Sequence, residues 1–280
     1  MVLRTNTAKR NFKKFKCYSK SRLLKPHYMK KQSLYYIFLC IIILADISCT
    51  KIDNYPGPSS TLQGKVFDAL TDSTVQTEYG GGGTRVKLLE TSYSSNPTPE
   101  YFQCMQNGAF HDDKIFAATY NVSVEGAFVP VIQTDDTGKV LIDSSKNIVL
   151  KNTATVNFWV QPFLRIEWVG QPVFNPDSTV TVKIRITRGT DNPAYQGNVT
   201  DINLYVSNTA NDGNNNYDPR YSNLHSYGGT SGNSLLGQVI TITTTGGALP
   251  PQDIYFRVGA RIASGLKRYN YNAVESIQYP

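Results

Sequence analysis

The chain has 280 residues, enough for one large domain or two of ordinary size, since domains cluster near about 100–150 residues. Its formal charge of +7, from 28 Lys or Arg against 21 Asp or Glu, is unevenly spread. Residues 1–31 hold 11 of the bases and no acid, whereas from Cys49 onward 17 bases face 20 acids, a balance of −3. A mildly acidic body lacks the basic face that phosphate neutralisation needs, so no nucleic-acid partner is expected.

In chain order, the basic stretch ending at Met29-Lys30-Lys31 runs into an apolar segment from Leu34 to Ala45, followed by Ser48-Cys49. Twelve residues fall short of the roughly 20 needed to span a bilayer, so the segment is expected to be the h-region of a signal peptide, with 1–48 removed as a leader. The 28 residues before Met29 read either as a long basic n-region or as the product of a mis-called start codon.

A small residue before a cysteine at the end of such a run resembles a bacterial lipobox, although Asp46 stands where that pattern has an apolar residue. The resemblance implies that Cys49 is lipidated and becomes the first residue of a protein anchored in the outer membrane, on the cell surface. Two acyl chains hold firmly, each buried methylene contributing about 0.8 kcal/mol. An ordinary secretory signal and a short uncleaved anchor are the alternatives. Cys17 and Cys40 fall in the leader, so Cys104 is left without an internal partner and is expected as a small buried hydrophobe.

Residues 49–60 are polar, with two prolines and a glycine, and read as a tether. Beyond them the apolar pattern has period two. Leu62, Val66, Val86, Leu88, Tyr120, Val122 and Val124 alternate with polar neighbours, as do Val156, Phe158 and Val160. The same alternation continues at Leu164 to Trp168, Val180 to Ile186, Ile202 to Val206, Val239 to Ile242 and Ile254 to Ile262. Such runs, joined by Gly, Pro and Asn/Asp turns and with no helical stripe, predict an all-β fold. Pro162 interrupts the series, placing a boundary near Gln161 and giving two β-sandwich domains in tandem, 61–161 and 162–280.

The order Gly64-Lys65-Val66-Phe67-Asp68, Arg85 to Leu88, Asn107-Gly108-Ala109-Phe110 and Ile115 to Tyr120 resembles a transthyretin-like or carboxypeptidase-regulatory-like sandwich. The second half, with Trp168 on an early strand and paired closing strands at Ile254 to Ile262 and Tyr269 to Tyr279, resembles a fibronectin III or immunoglobulin-like sandwich.

Further residues carry a more specific likeness: Lys51 to Tyr55, Gly80 to Gly83, Phe116 to Tyr120, Gly126 to Pro130 and Tyr255 to Arg261. Through them the chain resembles a family of two-domain lipoproteins from Bacteroidetes, of uncharacterised molecular function, found beside starch-utilisation-type glycan import systems. The resemblance implies location, fold and outer-membrane transporter partners more than a ligand.

For chemistry the sequence offers little. No nucleophile elbow, HExxH or phosphate-cradling loop is present, so neither an enzyme nor a cofactor is expected. His111, Asp112 and Asp113 are consecutive on a strand and point to alternate faces, a poor metal set. Gly80 to Gly83 lack a following helix and read as a flexible loop. Asp212, Asn214, Asn216 and Asp218 match the alternation of a calcium loop, but Tyr217 occupies its glycine position and Asn223 its bidentate acid.

The segment 208–232 mixes aromatics with amides and an Arg, the chemistry of a sugar surface, and nominates Tyr217, Arg220, Tyr221, Asn223 and Tyr227 for carbohydrate binding. The bland alternative is a long polar loop covering a sandwich edge. Trp159 points away from the face shared by Phe158 and Val160, as an exposed platform or as a plug between the domains, while Trp168 belongs to the core. The expected role is a non-catalytic accessory lipoprotein that binds glycan or a partner protein. A structural or adhesin-like spacer is the alternative, and a glycoside hydrolase built on paired carboxylates a further one.

Overall fold

Alternating apolar residues leave each strand with one face to bury, and the computed structural model, which describes Tyr36 and residues 56–278, buries these faces in two separate cores. In the first half the strands are β1 (Ser60–Asp68), β2 (Arg85–Glu90), β3 (Glu100–Gln103), β4 (Ala109–Ile115) and β5 (Ala118–Glu125). They are followed by β6 (Ile132–Thr134), β7 (Val140–Asp143), β8 (Lys146–Leu150), β9 (Thr153–Thr155) and β10 (Phe158–Val160). One sheet runs β10-β1-β4 with β9 also on β1, and the facing sheet runs β3-β2-β5-β8. Leu62, Val66 and Phe110 of the first meet Val86, Leu88 and Val122 of the second. Strands β6 and β7 form a separate hairpin. The thiol of Cys104 is fully buried in this core, and burial pushes its pKa up to about 12, the behaviour of an inert hydrophobe.

The second half comprises β11 (Leu164–Trp168), β12 (Val173–Phe174), β13 (Val180–Arg188), β14 (Val199–Ser207) and β15 (Asn223–Ser226). It closes with β16 (Val239–Thr243), β17 (Ile254–Ile262), β18 (Asn270–Tyr271) and β19 (Glu275–Ile277). Here β13, flanked by β11, β12 and β16, faces β14 and β17, which carry β15, β18 and β19. Val182, Ile184 and Ile186 pack against Leu204, Phe256 and Val258. The fold is all-β, two sandwiches, and Gly57–Pro280 makes one compact unit. Trp168 is half-buried at the edge of the second core, its indole N–H donating to the Ala273 carbonyl at 2.8 Å.

Two elements escaped the alternation. The expected strand from Val156 to Val160 is split, because Val156 and Asn157 leave the ladder between β9 and β10. There the Asn157 side chain accepts from the Lys65 amide at 3.0 Å, and Val156 N–H reaches the Gln63 carbonyl at 2.8 Å. The irregularity needs Gly64 opposite it. A Cβ at that position would lie 1.8 Å from the Val156 carbonyl oxygen and 2.6 Å from the Phe110 ring. Gly64→Ala is therefore expected to destabilise by about 1–3 kcal/mol, read as a lowered urea midpoint with unchanged slope. A neutral effect would mean that the β9–β10 junction relaxes freely.

The segment 208–232, expected as loop, contains β15, which pairs with the edge of β14 through Leu204↔Asn223 and Asn203↔Leu224. This strand carries no apolar alternation because main-chain pairing, not a buried face, holds it; Leu224 is 46% exposed. Cys49 lies outside the described residues, as does the whole segment 37–55. Among the described residues no helix is long and apolar enough to cross a membrane.

Candidate functional site

The sandwiches meet at a joint rich in polar contacts. Asn270 accepts from the Leu164 amide at 3.0 Å and donates to the Ala127 carbonyl at 2.8 Å, while Arg268 donates to the Glu125 carbonyl at 2.7 Å. On one side, Arg165 makes two contacts with the Asp68 carboxylate, at 2.5 and 2.8 Å, and both side chains are largely buried. Asp68 also accepts from the Leu70 amide at 2.9 Å, so one carboxylate fixes both the joint and the turn after β1. That turn places Asp72 in the left-handed region at φ 54, a conformation Asp tolerates.

Asp72 in turn accepts the indole N–H of Trp159 at 2.8 Å. Trp159 faces Phe67 across the parallel β1–β10 pair and stacks on it, centroids 5.4 Å apart and planes 17° apart. One ring face is covered, yet the residue is 56% exposed. Trp159 is thus a held platform and not a plug, since a residue closing the joint would be buried.

The platform borders a groove of about 610 Å³ whose walls include Leu70, Ile142, Gln161, Asp191 and Asn192. Thr190 donates to the Gln161 side-chain oxygen at 2.6 Å, which leaves the amide nitrogen as a donor. Asn192 accepts from the Ala194 amide at 3.1 Å, so its nitrogen is likewise the end left for the groove. A flat ring, two amide donors and a carboxylate can together cover a pyranose face and bond its hydroxyls.

The residues nominated from 208–232 do not form one surface. Tyr217, Arg220 and Tyr221 line a second pocket of about 350 Å³. Arg220 pairs with Asp218 at 2.7 Å, and its guanidinium lies 5.1 Å from the Tyr221 ring. Asn223 and Tyr227 serve the fold instead: Asn223 donates to the Thr243 carbonyl at 2.8 Å, and Tyr227 packs on the second core. Trp159 stands in the other groove, on the first sandwich.

The calcium pattern also comes apart. Asp212 is buried, Asn214 accepts from the Tyr205 hydroxyl at 3.3 Å, Asn216 donates to the Asn211 carbonyl at 2.7 Å, and Asp218 is taken by Arg220. Among the described residues no group of three His, Cys, Asp or Glu converges to hold a metal. His111 is exposed, 3.3 Å from Gln63, with Asp112 and Asp113 alternating as expected.

Sequence reasoning missed a buried charged cluster on the other side of the joint. Register pairs Tyr205 with Arg257 and Asn203 with Gly259 on the β14–β17 face turned away from the second core. This face is covered by Tyr269, Tyr271 and the loop around Glu78. Arg257 is fully buried, donates to the Asn272 and Asp212 carbonyls at 3.0 and 3.1 Å, and lies 4.3 Å from the Tyr271 ring centroid.

Glu78, also buried, accepts from the Asn215 amide at 3.1 Å, and burial raises its pKa above the usual carboxylate range. Burial pushes the Asp212 carboxyl up to about 7, against the pull of Arg257. The side-chain amide of Gln106 is the neighbouring donor to the Asp212 carboxyl and also draws its pKa down. Gly82 and Gly83 press against Glu78, where any Cβ would meet it at 2.0 Å or less. The glycine run therefore packs on Glu78 at two positions, Gly82 against its carboxylate and Gly83 against its main-chain carbonyl, while Gly81 is exposed. Only its sequence position hinted at this, since nothing in the run itself names Glu78 as its partner.

Two sandwiches joined by buried charge and exposing an aromatic groove define an all-β, tandem-sandwich class of protein. No family model matches the chain, and no curated protein matches it. A DUF3823 family protein from Bacteroides uniformis is 34% identical, with a TM-score of 0.74, over 80% of this chain and 100% of that one. The chain belongs to the DUF3823 family. A DUF3823 family protein from Parabacteroides merdae shares the fold at 18% identity, over 80% of this chain and 100% of that one, with a TM-score of 0.60. A candidate carbohydrate binding protein from Bacteroides uniformis shares it at 21% identity, over 79% of this chain and 100% of that one, with a TM-score of 0.59.

Proposed function

We propose that the protein is a non-catalytic, lipid-anchored glycan-binding component of the outer-membrane surface, serving a polysaccharide import system. The observation that carries this reading is Trp159, an exposed indole fixed by Phe67 on one face and by Asp72 at its N–H. A ring held flat with one face open is a preformed surface for stacking, and a sugar ring is the partner that a flat apolar face bordered by amides suits best. The naming of one fold relative as a candidate carbohydrate binding protein is in keeping with this reading. The anchor rests on Cys49 and its leader, and palmitate labelling that survives Cys49→Ala would contradict it.

Isothermal titration against a panel of polysaccharides tests the binding. Trp159→Ala is expected to weaken the tightest partner by at least ~30-fold, the loss of roughly 2 kcal/mol usual for a buried aromatic anchor. A melting curve taken in parallel separates lost contact from lost fold. Unchanged affinity in the variant, or flat traces with wild-type protein, contradicts the reading. The hydrogen-bonded joint also suits a structural spacer, and uniformly flat traces would favour that role.

A further inference from the structure

We propose that the Trp159 groove selects neutral glycans over anionic ones, with Asp191 as the residue that sets the selection; this rests on the glycan-binding reading above. The charges lining the groove carry the argument. Its lining cation is Arg165, whose guanidinium is already claimed by two contacts with Asp68. Asp191 and Glu167 lie close enough to act on the same guanidinium through space, so three carboxylates share one positive charge. Asp191 is exposed on the groove wall. Asp72 adds a further negative charge at the indole edge.

Among the described residues the groove therefore has an excess of acid, with no lining cation free to meet a uronate or a sulfate. The donors it does offer, the amide nitrogens of Gln161 and Asn192, are uncharged. They match hydroxyl oxygens, while a carboxylate such as Asp191 accepts from the hydroxyl groups of neutral sugars. An anionic substituent brought near Asp191 meets like charge in a partly desolvated groove, which weakens binding by about tenfold or more. The apolar rim of Leu70 and Ile142 faces the same ligand with surface suited to C–H faces and not to charge.

The purified protein is titrated with neutral polymers, galactomannan and xyloglucan, and with anionic ones, polygalacturonate and chondroitin sulfate, at about 50 and 500 mM NaCl. The expected result is binding of a neutral polymer at least ~10-fold tighter than either polyanion at low salt, with the gap narrowing at high salt. In Asp191→Lys the gap is expected to shrink to within about threefold, since one charge reversal removes the repulsion and adds attraction. Equal or tighter binding of a polyanion by wild-type protein overturns the selection, as does an Asp191→Lys variant that keeps the wild-type ratio. Tighter binding of a cationic glucosamine polymer than of any neutral one also overturns it. Flat traces throughout overturn the parent reading, a different outcome from loss of selectivity alone.

Discussion

Arg257→Met is expected to lose about 3–5 kcal/mol of stability near pH 8, measured as a fall in the urea midpoint. The residue is fully buried, and Met keeps much of its length while removing every donor. Two carbonyls, of Asn272 and Asp212, lose their partner, and the Tyr271 ring loses its cation. More important, Arg257 is the positive charge that acts on both Glu78 and Asp212. Without it two buried carboxylates lose the cation they share and keep only hydrogen bonds from neutral donors and the more distant Arg268.

The pH dependence gives this prediction its sign. The folded pKa of Asp212, about 7, exceeds its ordinary value of 3.8, so the native state holds a proton that the unfolded chain releases. Stability from this group is present below about pH 4 and is lost as pH rises through about 7. Glu78, also raised, acts in the same direction. The cost of Arg257→Met is therefore expected to shrink at pH 4, where protonation removes the charges that need it. A cost independent of pH would mean that only packing and the two carbonyl bonds matter.

Asp68→Ala is expected to cost about 3 kcal/mol or more, because Arg165 is left charged and largely buried at the joint. The same change frees the Leu70 amide and loosens the turn that holds Asp72 against Trp159. Glycan affinity should fall along with stability. Replacing both partners by apolar residues, Asp68→Leu with Arg165→Met, is expected to recover most of the stability but not the affinity. Recovery of both would detach the ion pair from the groove.

How much of this was legible beforehand differs by region. The alternation of Val180, Val182, Ile184 and Ile186 and of Ile254, Phe256, Val258 and Ala260 reports a local fact, one face buried, and these residues all lie in the second core. Trp159 was legible to the same degree: its period-two phase opposite Phe158 and Val160 put it on the outer face, but exposure there depends on where the second sandwich stops. Arg257 and Tyr205 sit on positions that alternation assigns to water. They are buried because other parts of the chain, Glu78 and Tyr271, cover that face, and such long-range covering leaves no periodic trace.

The aromatic-rich segment 208–232 misled for the opposite reason. Composition suggested a sugar surface, yet Tyr227 and Asn223 are committed to packing and main-chain bonds, and β15 forms from a run with no apolar rhythm. Composition counts side chains without saying which are already engaged. The polar side of the groove, Gln161 and Asn192, was invisible because the two residues come together only across the joint.

The central claim is that glycan binds on Trp159, and a crystal structure of the protein soaked with an oligosaccharide from the tightest neutral polymer tests it most directly. The account predicts a sugar ring stacked on the free face of Trp159, with hydroxyl groups within hydrogen-bonding distance of Asp191 or Asn192. A sugar seated instead between Tyr217 and Tyr221, with the Trp159 groove holding only solvent, would contradict it.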